Sequence, residues 1–188
     1  MAEARKALES TTVCCQDLST AIRSPIPLIP TKVLIDKTQP AFNFGGQKAY
    51  FVLYELPAYE RPYSIFLTSQ AAGTLQDVAI FIPRVAMYDA DFKVTRFFDE
   101  RTLRNRGNDL ERTVFINPSN QQERYIAVYG ADLSASIERQ YSMVTVQTIS
   151  TGFVTFNIYG GQDGKSTLRA SPVGSLQIEV KGLATASK

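Results

Sequence analysis

The sequence predicts an all-β protein: an antiparallel β-sandwich or jelly-roll-like domain of about ten short strands with a short N-terminal helix. Short apolar runs recur at regular spacing from Lys32 onward, and residues typical of turns separate them. No long helical pattern lies between these runs, so a parallel α/β sheet is disfavoured. The longest apolar stretch, residues 77–98, is rich in β-branched and aromatic residues and contains Pro83, which suits buried strands better than a helix.

The chain is expected to divide into three parts. Residues 1–30 form an N-terminal helical and proline-rich arm, residues 31–183 form the β-sandwich domain, and residues 184–188 form a tail. A core of this size needs no disulfide or metal to be stable. The composition, with 44% hydrophobic and 20% charged residues, is that of an ordinary globular protein rather than a disordered one.

The N-terminal arm is the one part where helix is predicted. Residues 2–9 have the composition of a helical turn or two. Apolar residues then recur at helical spacing from Cys14 to Ile22, which predicts a short amphipathic helix at about 13–23. Three prolines within 25–30 impose extended backbone on the segment that follows.

The predicted strands follow one another through the sandwich domain. The last is the clearest, because Leu176, Ile178 and Val180 alternate with polar residues and so define one wet face. A hairpin turn is expected at 150–152 and one helical turn within 131–139. The ten strand-like runs are 33–35, 50–56, 63–67, 78–82, 85–88, 114–116, 125–129, 141–149, 153–159 and 176–180.

Composition argues against several functional classes. The net charge of +2 is well short of a nucleic-acid-binding footprint, so no nucleic-acid partner is predicted. No apolar run reaches the ~20 residues that cross a bilayer, so no transmembrane segment is predicted. The sequence has no histidine, which removes the commonest general base and metal ligand. We therefore predict a protein that is not an enzyme, with no catalytic residue, no metal and no cofactor.

The two cysteines, Cys14 and Cys15, are neighbours in the sequence. We expect them to be two small apolar residues on the face of the predicted helix. A vicinal disulfide between them, or a bridge to another chain, is the alternative.

Two polar segments superficially resemble ligand sites. Residues 160–166 are rich in glycine and end in Lys-Ser, but the spacing is one residue short of a phosphate-binding loop, and a turn between strands is expected there. Asp89, Asp91, Asp99 and Glu100 suggest calcium, but the glycine and final glutamate of an EF-hand loop are missing, so 89–91 is expected to be a turn. A hydrolase acting through paired carboxylates is a third hypothesis, although no pair stands out.

A charged loop is predicted at 96–112. It carries five arginines against four acidic residues, so its charge is nearly balanced. The simplest interpretation is a solvated loop with local ion pairs. Long loops on β-sandwiches often carry function, however, and we take four residues as a candidate partner-binding set. They are Arg96, Arg101, Arg104 and Arg106.

A succession of short motifs resembles a known family. Residues 54–57 (Tyr-Glu-Leu-Pro) precede a strand that ends in Leu-Thr-Ser at 67–69, and a Phe-x-Pro-x-Val-x-x-x-Asp pattern follows. This order is similar to that of the maltose operon periplasmic protein family. The residues that fill the last pattern are Phe81, Pro83, Val85 and Asp89, with Tyr88 where the family commonly has Leu.

The resemblance extends, with gaps, over about 40–182 and is strongest between 50 and 92. Residues 124–129 look like the family's next core strand, and 174–180 look like its closing strand. The chain departs from the family's enteric members at both ends, in the loop at 96–112 and in the turn at 160–166.

The resemblance implies a function rather than a set of site residues. It implies a non-enzymatic, periplasmic, envelope-associated protein that acts as a binding or interaction module, similar to an accessory protein of maltodextrin uptake. Its partner would be an envelope protein or a glycan. Some family members are lipoproteins, so outer-membrane association through a lipid anchor upstream of this sequence is also implied. The alternative function is a carbohydrate-binding module for maltodextrins or envelope glycans, which would present a row of exposed tyrosines.

Overall fold

The computed structural model describes residues 2–73, 78–150 and 152–183. The predicted fold class is confirmed, because this part of the chain is mainly β-structure arranged in sheets, with a short N-terminal helix. Helix α1 spans Ala2–Ser10, as predicted for 2–9. Single turns of 3-10 helix lie at Leu18–Thr20, Glu100–Thr102 and Pro118–Asn120. The predicted tail and Asp77, the first residue of the long apolar stretch, lie outside the described residues.

The described part of the chain contains fifteen strands, which form three sheets. In chain order they are β1 (Ser24–Pro25), β2 (Thr31–Ile35), β3 (Ala41–Phe44), β4 (Gln47–Glu55), β5 (Tyr63–Gln70), β6 (Ala72–Gly73), β7 (Val78–Ile80), β8 (Pro83–Tyr88), β9 (Val94–Phe98), β10 (Arg104–Arg106), β11 (Asp109–Ile116), β12 (Tyr125–Gly130), β13 (Ser136–Ser150), β14 (Thr155–Ala170) and β15 (Gly174–Lys181).

Two of the sheets pack face to face and form the sandwich. The first has the strand order β1-β4-β12-β8-β9, with β3 also paired to β4, and the second has the order β10-β11-β5-β15-β2. One core cluster takes side chains from both sheets, for example Met87 from the first and Leu67 and Ile178 from the second. Burial alternates along β5 because successive side chains of a strand point to opposite faces.

The outer face of the first sheet is also covered. Phe51 and Leu53 of β4 point away from the sandwich core and pack against Leu18 and the side chains of β3. Burying a Phe or Leu contributes about 1.5–3 kcal/mol. The N-terminal segment therefore acts as a third layer, and this explains why β4 is apolar along both faces.

The third sheet has the order β13-β14-β7-β6 and is formed around a long hairpin, β13 and β14. Its link to the sandwich runs through the long apolar stretch. Strand β7 belongs to the third sheet and β8 to the first, and Pro83 opens β8 just after the chain changes sheet. Proline has no backbone N–H, but at the first position of a strand it removes few of the hydrogen bonds between neighbouring strands.

Two local predictions were wrong. No helix forms at 13–23 apart from the turn at Leu18–Thr20. The Cys14 N–H donates instead to the Ala41 carbonyl at 2.8 Å, and Asp17 caps the short turn by accepting from the Ser19 N–H. The apolar residues of this segment thus reach the sheet without forming a helix. The helical turn expected within 131–139 is a β-turn closed by the Ala135 N–H and the Asp132 carbonyl, after which β13 begins.

Candidate interaction surface

The long hairpin, β13 and β14, is held firmly at its base. Leu168 and Ala170 of β14 are buried against Val78 and Ile80 of β7, which runs parallel to them. The buried Arg139 side chain adds polar contacts, because its Nε donates to Ser166 Oγ at 2.7 Å and its Nη1 donates to Asn108 Oδ1 at 2.9 Å. The hairpin therefore leaves the body of the protein from a fixed position.

Beyond that base the hairpin projects into solvent. We call residues 140–165 the distal hairpin, and none of its described side chains is buried. The two strands remain paired without interruption from Ser136 opposite Arg169 to Ser150 opposite Thr155. From residue 140 to residue 150 the ribbon extends about 33 Å, at ~3.3 Å per residue.

Large apolar side chains are exposed along the distal hairpin. Val144 and Val146 of β13 share one face with Tyr159 of β14, since Tyr159 lies directly opposite Val146. Phe156 and Ile158 lie on the other face and continue toward the tip. Phe153 at the tip is fully exposed, at 101%. The exposed apolar residues of this surface are Val144, Val146, Phe153, Val154, Phe156, Ile158 and Tyr159.

The outer edges of the ribbon lack strand partners. Among the described strands, β13 pairs with β14 alone, and β14 meets β7 only at Leu168–Ala170. Open edges present rows of backbone donors and acceptors that can pair with another strand. Natural edges are usually protected by lysine, proline or a bulge, yet residues 141–162 contain no charged residue and no proline.

The expected turn at 160–166 does not exist, because these residues lie inside β14. Glycine-rich segments favour turns, but here the partner strand continues opposite them and supplies a ladder. Gly160 faces Thr145, and a Cβ on Gly160 would come within 2.9 Å of Thr145 Oγ1. The glycine thus allows the two strands to remain in register at this point.

The predicted charged loop at 96–112 is also mostly regular structure. It contains the end of β9, the 3-10 turn at Glu100–Thr102, strand β10 and the start of β11. Gly107, with φ of 59°, lies in the turn between β10 and β11. The segment is therefore a folded connection that ends in a hairpin at the edge of the second sheet.

Arg96 has a structural partner far away in the sequence. Its guanidinium donates from Nε and Nη2 to the two oxygens of Glu123 at 2.7 and 2.6 Å, and the Thr95 hydroxyl donates to Glu123 at 2.8 Å. The Glu123 side chain is fully buried, whereas 29% of the Arg96 side chain is exposed. Arg96 thus neutralises a buried carboxylate, which limits its availability to a partner.

The other three candidate arginines are more exposed. Arg101 forms an ion pair at 2.5 Å with Asp99, which lies two residues earlier in the sequence. Arg106 forms an ion pair at 3.0 Å with Glu111 across the β10–β11 hairpin. Arg104 is exposed on β10. The structure brings Arg104 and Arg106 onto one short edge strand and places Arg96 elsewhere, so the four do not converge on one site.

Most acidic residues of the calcium hypothesis serve local structure. Asp89 accepts from the N–H groups of Asp91 and Lys93 at 2.9 Å, which confirms the predicted turn at 89–91. Glu100 forms a bidentate pair with Arg84 at 2.7 and 2.9 Å. The hydrogen bond from Arg84 lowers the pKa of Glu100, against the opposing effect of burial. Nowhere in the described part of the chain do three or more potential metal ligands cluster.

Arg112 and Phe92 are the unusual residues near these turns. The buried Arg112 donates to Thr102 Oγ1 and to the Asp99 carbonyl, and burial lowers its pKa to about 10, so it stays charged at neutral pH. Phe92 has a φ of 58°, a conformation that L-residues adopt at a cost. Its ring stacks on Tyr125 with centroids 4.3 Å apart, which helps to offset that cost.

The cysteines and tyrosines bear on two earlier expectations. Cys14 and Cys15 form a vicinal disulfide, so the alternative holds and the helix-face interpretation was wrong.

Of the tyrosines whose side chains the structure describes, Tyr159 on the distal hairpin is strongly exposed, at 70%. Five others are buried in the body: Tyr50, Tyr54, Tyr63, Tyr88 and Tyr129.

A groove of about 720 Å³ lies between α1 and the base of the long hairpin. Arg5, Lys6 and Arg169 line it together with Glu9 and several apolar residues. Arg5 is already engaged, because its Nη2 donates to the Leu133 carbonyl at 3.2 Å. The groove is mildly cationic, but it shows no convergence of catalytic groups.

Comparison with known proteins adds no family assignment. No family model matches the chain, and no curated protein matches it. The likeness to the maltose operon periplasmic proteins stays a prediction from sequence motifs. Within the described ranges, no helix has the length and apolar character of a membrane span.

The sequence predicts most of β13, the first part of β14 and the turn between them, but it does not reveal the surface that they form. The runs at 141–149 and 153–159 have the pattern of strands, and strand patterns do not reveal whether a face is covered. One signal was present, namely the absence of charge from 141–162 in a chain where 20% of residues are charged. Such a segment is expected either in a core or at an interface.

Proposed function

We propose that this protein is a non-enzymatic interaction module of the cell envelope that binds a protein partner through the distal hairpin. The observation that carries the proposal is the row of exposed apolar side chains on a ribbon that projects about 33 Å from the body. Exposed apolar patches on soluble proteins commonly mark interaction sites.

The energetics of an isolated ribbon support this proposal. A two-stranded hairpin without further packing is marginally stable in water, and stability usually requires a third strand or a covering layer. The distal hairpin has neither within the described part of the chain, whereas its base is well anchored by Arg139 and Leu168. A partner that adds a strand or covers a face would supply the missing contacts.

The location and the biological setting rest on the sequence resemblance. We place the protein in the periplasm, with an accessory role in maltodextrin uptake, because its motifs resemble those of the maltose operon periplasmic proteins. Fractionation of cells that express the protein from its own gene tests the location. We expect the protein in the osmotic-shock or outer-membrane fraction, and recovery in the cytosol alone would contradict the proposal.

Site-specific photocrosslinking tests the interaction surface. A photoreactive phenylalanine analogue at Val146 or Tyr159 should give discrete crosslinked species in intact cells. The same analogue at Ile22, which is 87% exposed on the body, is the matched control. Equal crosslinking at all three positions, or none at the hairpin positions, would refute the role of the distal hairpin.

A further inference from the structure

Building on the proposed function, we infer that the partner of the distal hairpin is a second copy of this chain. In this arrangement the β13 edges of two copies pair antiparallel about a two-fold axis. The two ribbons then form one continuous four-stranded sheet, so each hairpin acquires the further strand it lacks.

Two of the exposed apolar side chains lie on the strand that would pair. Val144 and Val146 of β13 are 71% and 54% exposed and point to one face of the ribbon. Antiparallel pairing of two β13 edges would set these β-branched side chains beside their counterparts from the second copy, and such cross-strand contacts stabilise a sheet.

The charge pattern favours a second copy over a different protein. In a two-fold contact, a surface meets the same surface of its twin, so a charged residue near the axis would face its own charge. Residues 141–162 carry no charge, which removes this repulsion along the whole distal part of β13. The nearest charges on β14, Asp163 and Lys165, have opposite signs.

The β13 edge is the better of the two edges for pairing. Within the described strands it is unpaired on its outer side over Ser136–Ser150, and residues 141–150 contain no glycine, proline or charge. The β14 edge is interrupted by Gly160 and Gly161 and flanked by the charged pair Asp163 and Lys165. Glycine weakens a strand, and edge charges oppose pairing with another chain.

Sedimentation equilibrium of the purified full chain tests the inference. We expect a concentration-dependent dimer for the native sequence. The double substitution Val144→Lys and Val146→Lys should weaken the dimer by more than about tenfold, because like charges would meet at the axis. The control is Ile22→Lys, the same chemical change at an exposed body position, which should leave the dimer unchanged. Circular dichroism should show that all variants remain folded.

A mixing experiment makes the test specific to self-association. The double substitution Val144→Glu and Val146→Glu should also give a monomer on its own, but this chain should form a heterodimer when mixed with the double lysine variant. Failure of the mixture to associate, or an undiminished dimer in the Lys variant, would overturn the two-fold pairing of β13.

The outcome also separates this inference from the proposed function. A monomeric native chain whose hairpin still crosslinks to another protein in cells would overturn the second-copy inference and leave the interaction module standing. A monomeric chain whose hairpin instead binds vesicles of phosphatidylethanolamine and phosphatidylglycerol would identify a lipid surface as the occupant. That result would overturn both proposals.

Discussion

The sandwich body and the distal hairpin are made of the same kinds of residue but use them in opposite ways. In the body, Val128 and Ile126 of β12 are completely or almost completely buried. In the hairpin, Val144 and Val146 occupy an equally regular strand yet are 71% and 54% exposed. The contrast teaches that β-structure and burial are separate properties, because pairing satisfies the backbone whereas burial requires a second layer.

The two regions also differ in their charged residues. The body contains buried charges: Glu123 accepts three hydrogen bonds and Arg112 donates two. The hairpin has no charge at all over 141–162. A buried charge without its partners destabilises a fold strongly, so the body should be sensitive to single substitutions that the hairpin tolerates.

The largest effect is expected at the buried ion pair. Arg96→Met leaves the Glu123 carboxylate buried without its cation and should lower the free energy of unfolding by about 3–5 kcal/mol. Urea denaturation measures this. The control is Arg106→Met, which breaks an exposed pair with Glu111 and should cost less than about 1 kcal/mol. Similar losses for both variants would mean that Glu123 is not buried as described.

A smaller loss of stability is expected when a single methyl group is added inside the body. A Cβ on Gly174 would lie 2.6 Å from the Cβ of Phe81, so Gly174→Ala should destabilise the protein by about 1–3 kcal/mol through overpacking. Gly161→Ala in the hairpin is the matched change, because no atom lies within 4 Å of the added group. Thermal melts compare the two. A comparable loss for Gly161→Ala would contradict the exposed position of β14.

The contribution of the Arg84–Glu100 ion pair to the stability of the fold should decrease at acidic pH. The pKa of Glu100 is lowered in the folded chain from its ordinary value of 4.5, chiefly by the hydrogen bond from Arg84. The unfolded chain therefore binds more protons in this range, so the stabilisation is fully present above about pH 4.5 and is lost as the pH falls through the lowered pKa. Arg84→Met should cost about 1–2 kcal/mol at pH 7, and the difference from the native chain should shrink toward pH 3. A difference independent of pH would contradict this assignment.

The smallest effect is expected on the hairpin itself. Val146→Ala should change the stability of the dilute protein by less than about 0.5 kcal/mol, because its side chain is mostly in solvent. Val128→Ala, the same change in β12, should cost clearly more because it leaves a cavity in the core. If the hairpin pairs with a second copy, the melting temperature of the native chain should rise with protein concentration more than that of Val146→Ala. Equal concentration dependence would count against the hairpin as the interface.

Much of the fold could be predicted from local patterns. The alternation of apolar and polar residues over 176–180 predicts a strand with one buried face, and β15 confirms it. The predicted hairpin turn at 150–152 also lies where β13 and β14 approach each other, although Thr151 itself is outside the described residues. These features depend on neighbouring residues, which is why a single sequence reveals them.

The candidate site was much harder to predict. Arg96 and Glu123 are 27 positions apart and no spacing rule links them, so the sequence predicts Arg96 only as part of a charged loop. Gly160 and Gly161 predict a turn, because the sequence does not show that β13 lies opposite them as a partner strand. Both errors arise from contacts between distant parts of the chain.

By itself, the sequence determined the β-class of this protein, most of its strands and the uncharged character of 141–162. It did so because side-chain chemistry and alternation act over a few residues. Only the tertiary structure decided which strands share a sheet, which arginines are consumed by internal pairs, and that the long hairpin leaves the body. Those outcomes depend on which surfaces remain uncovered once all the layers have packed, and a local sequence pattern does not show this.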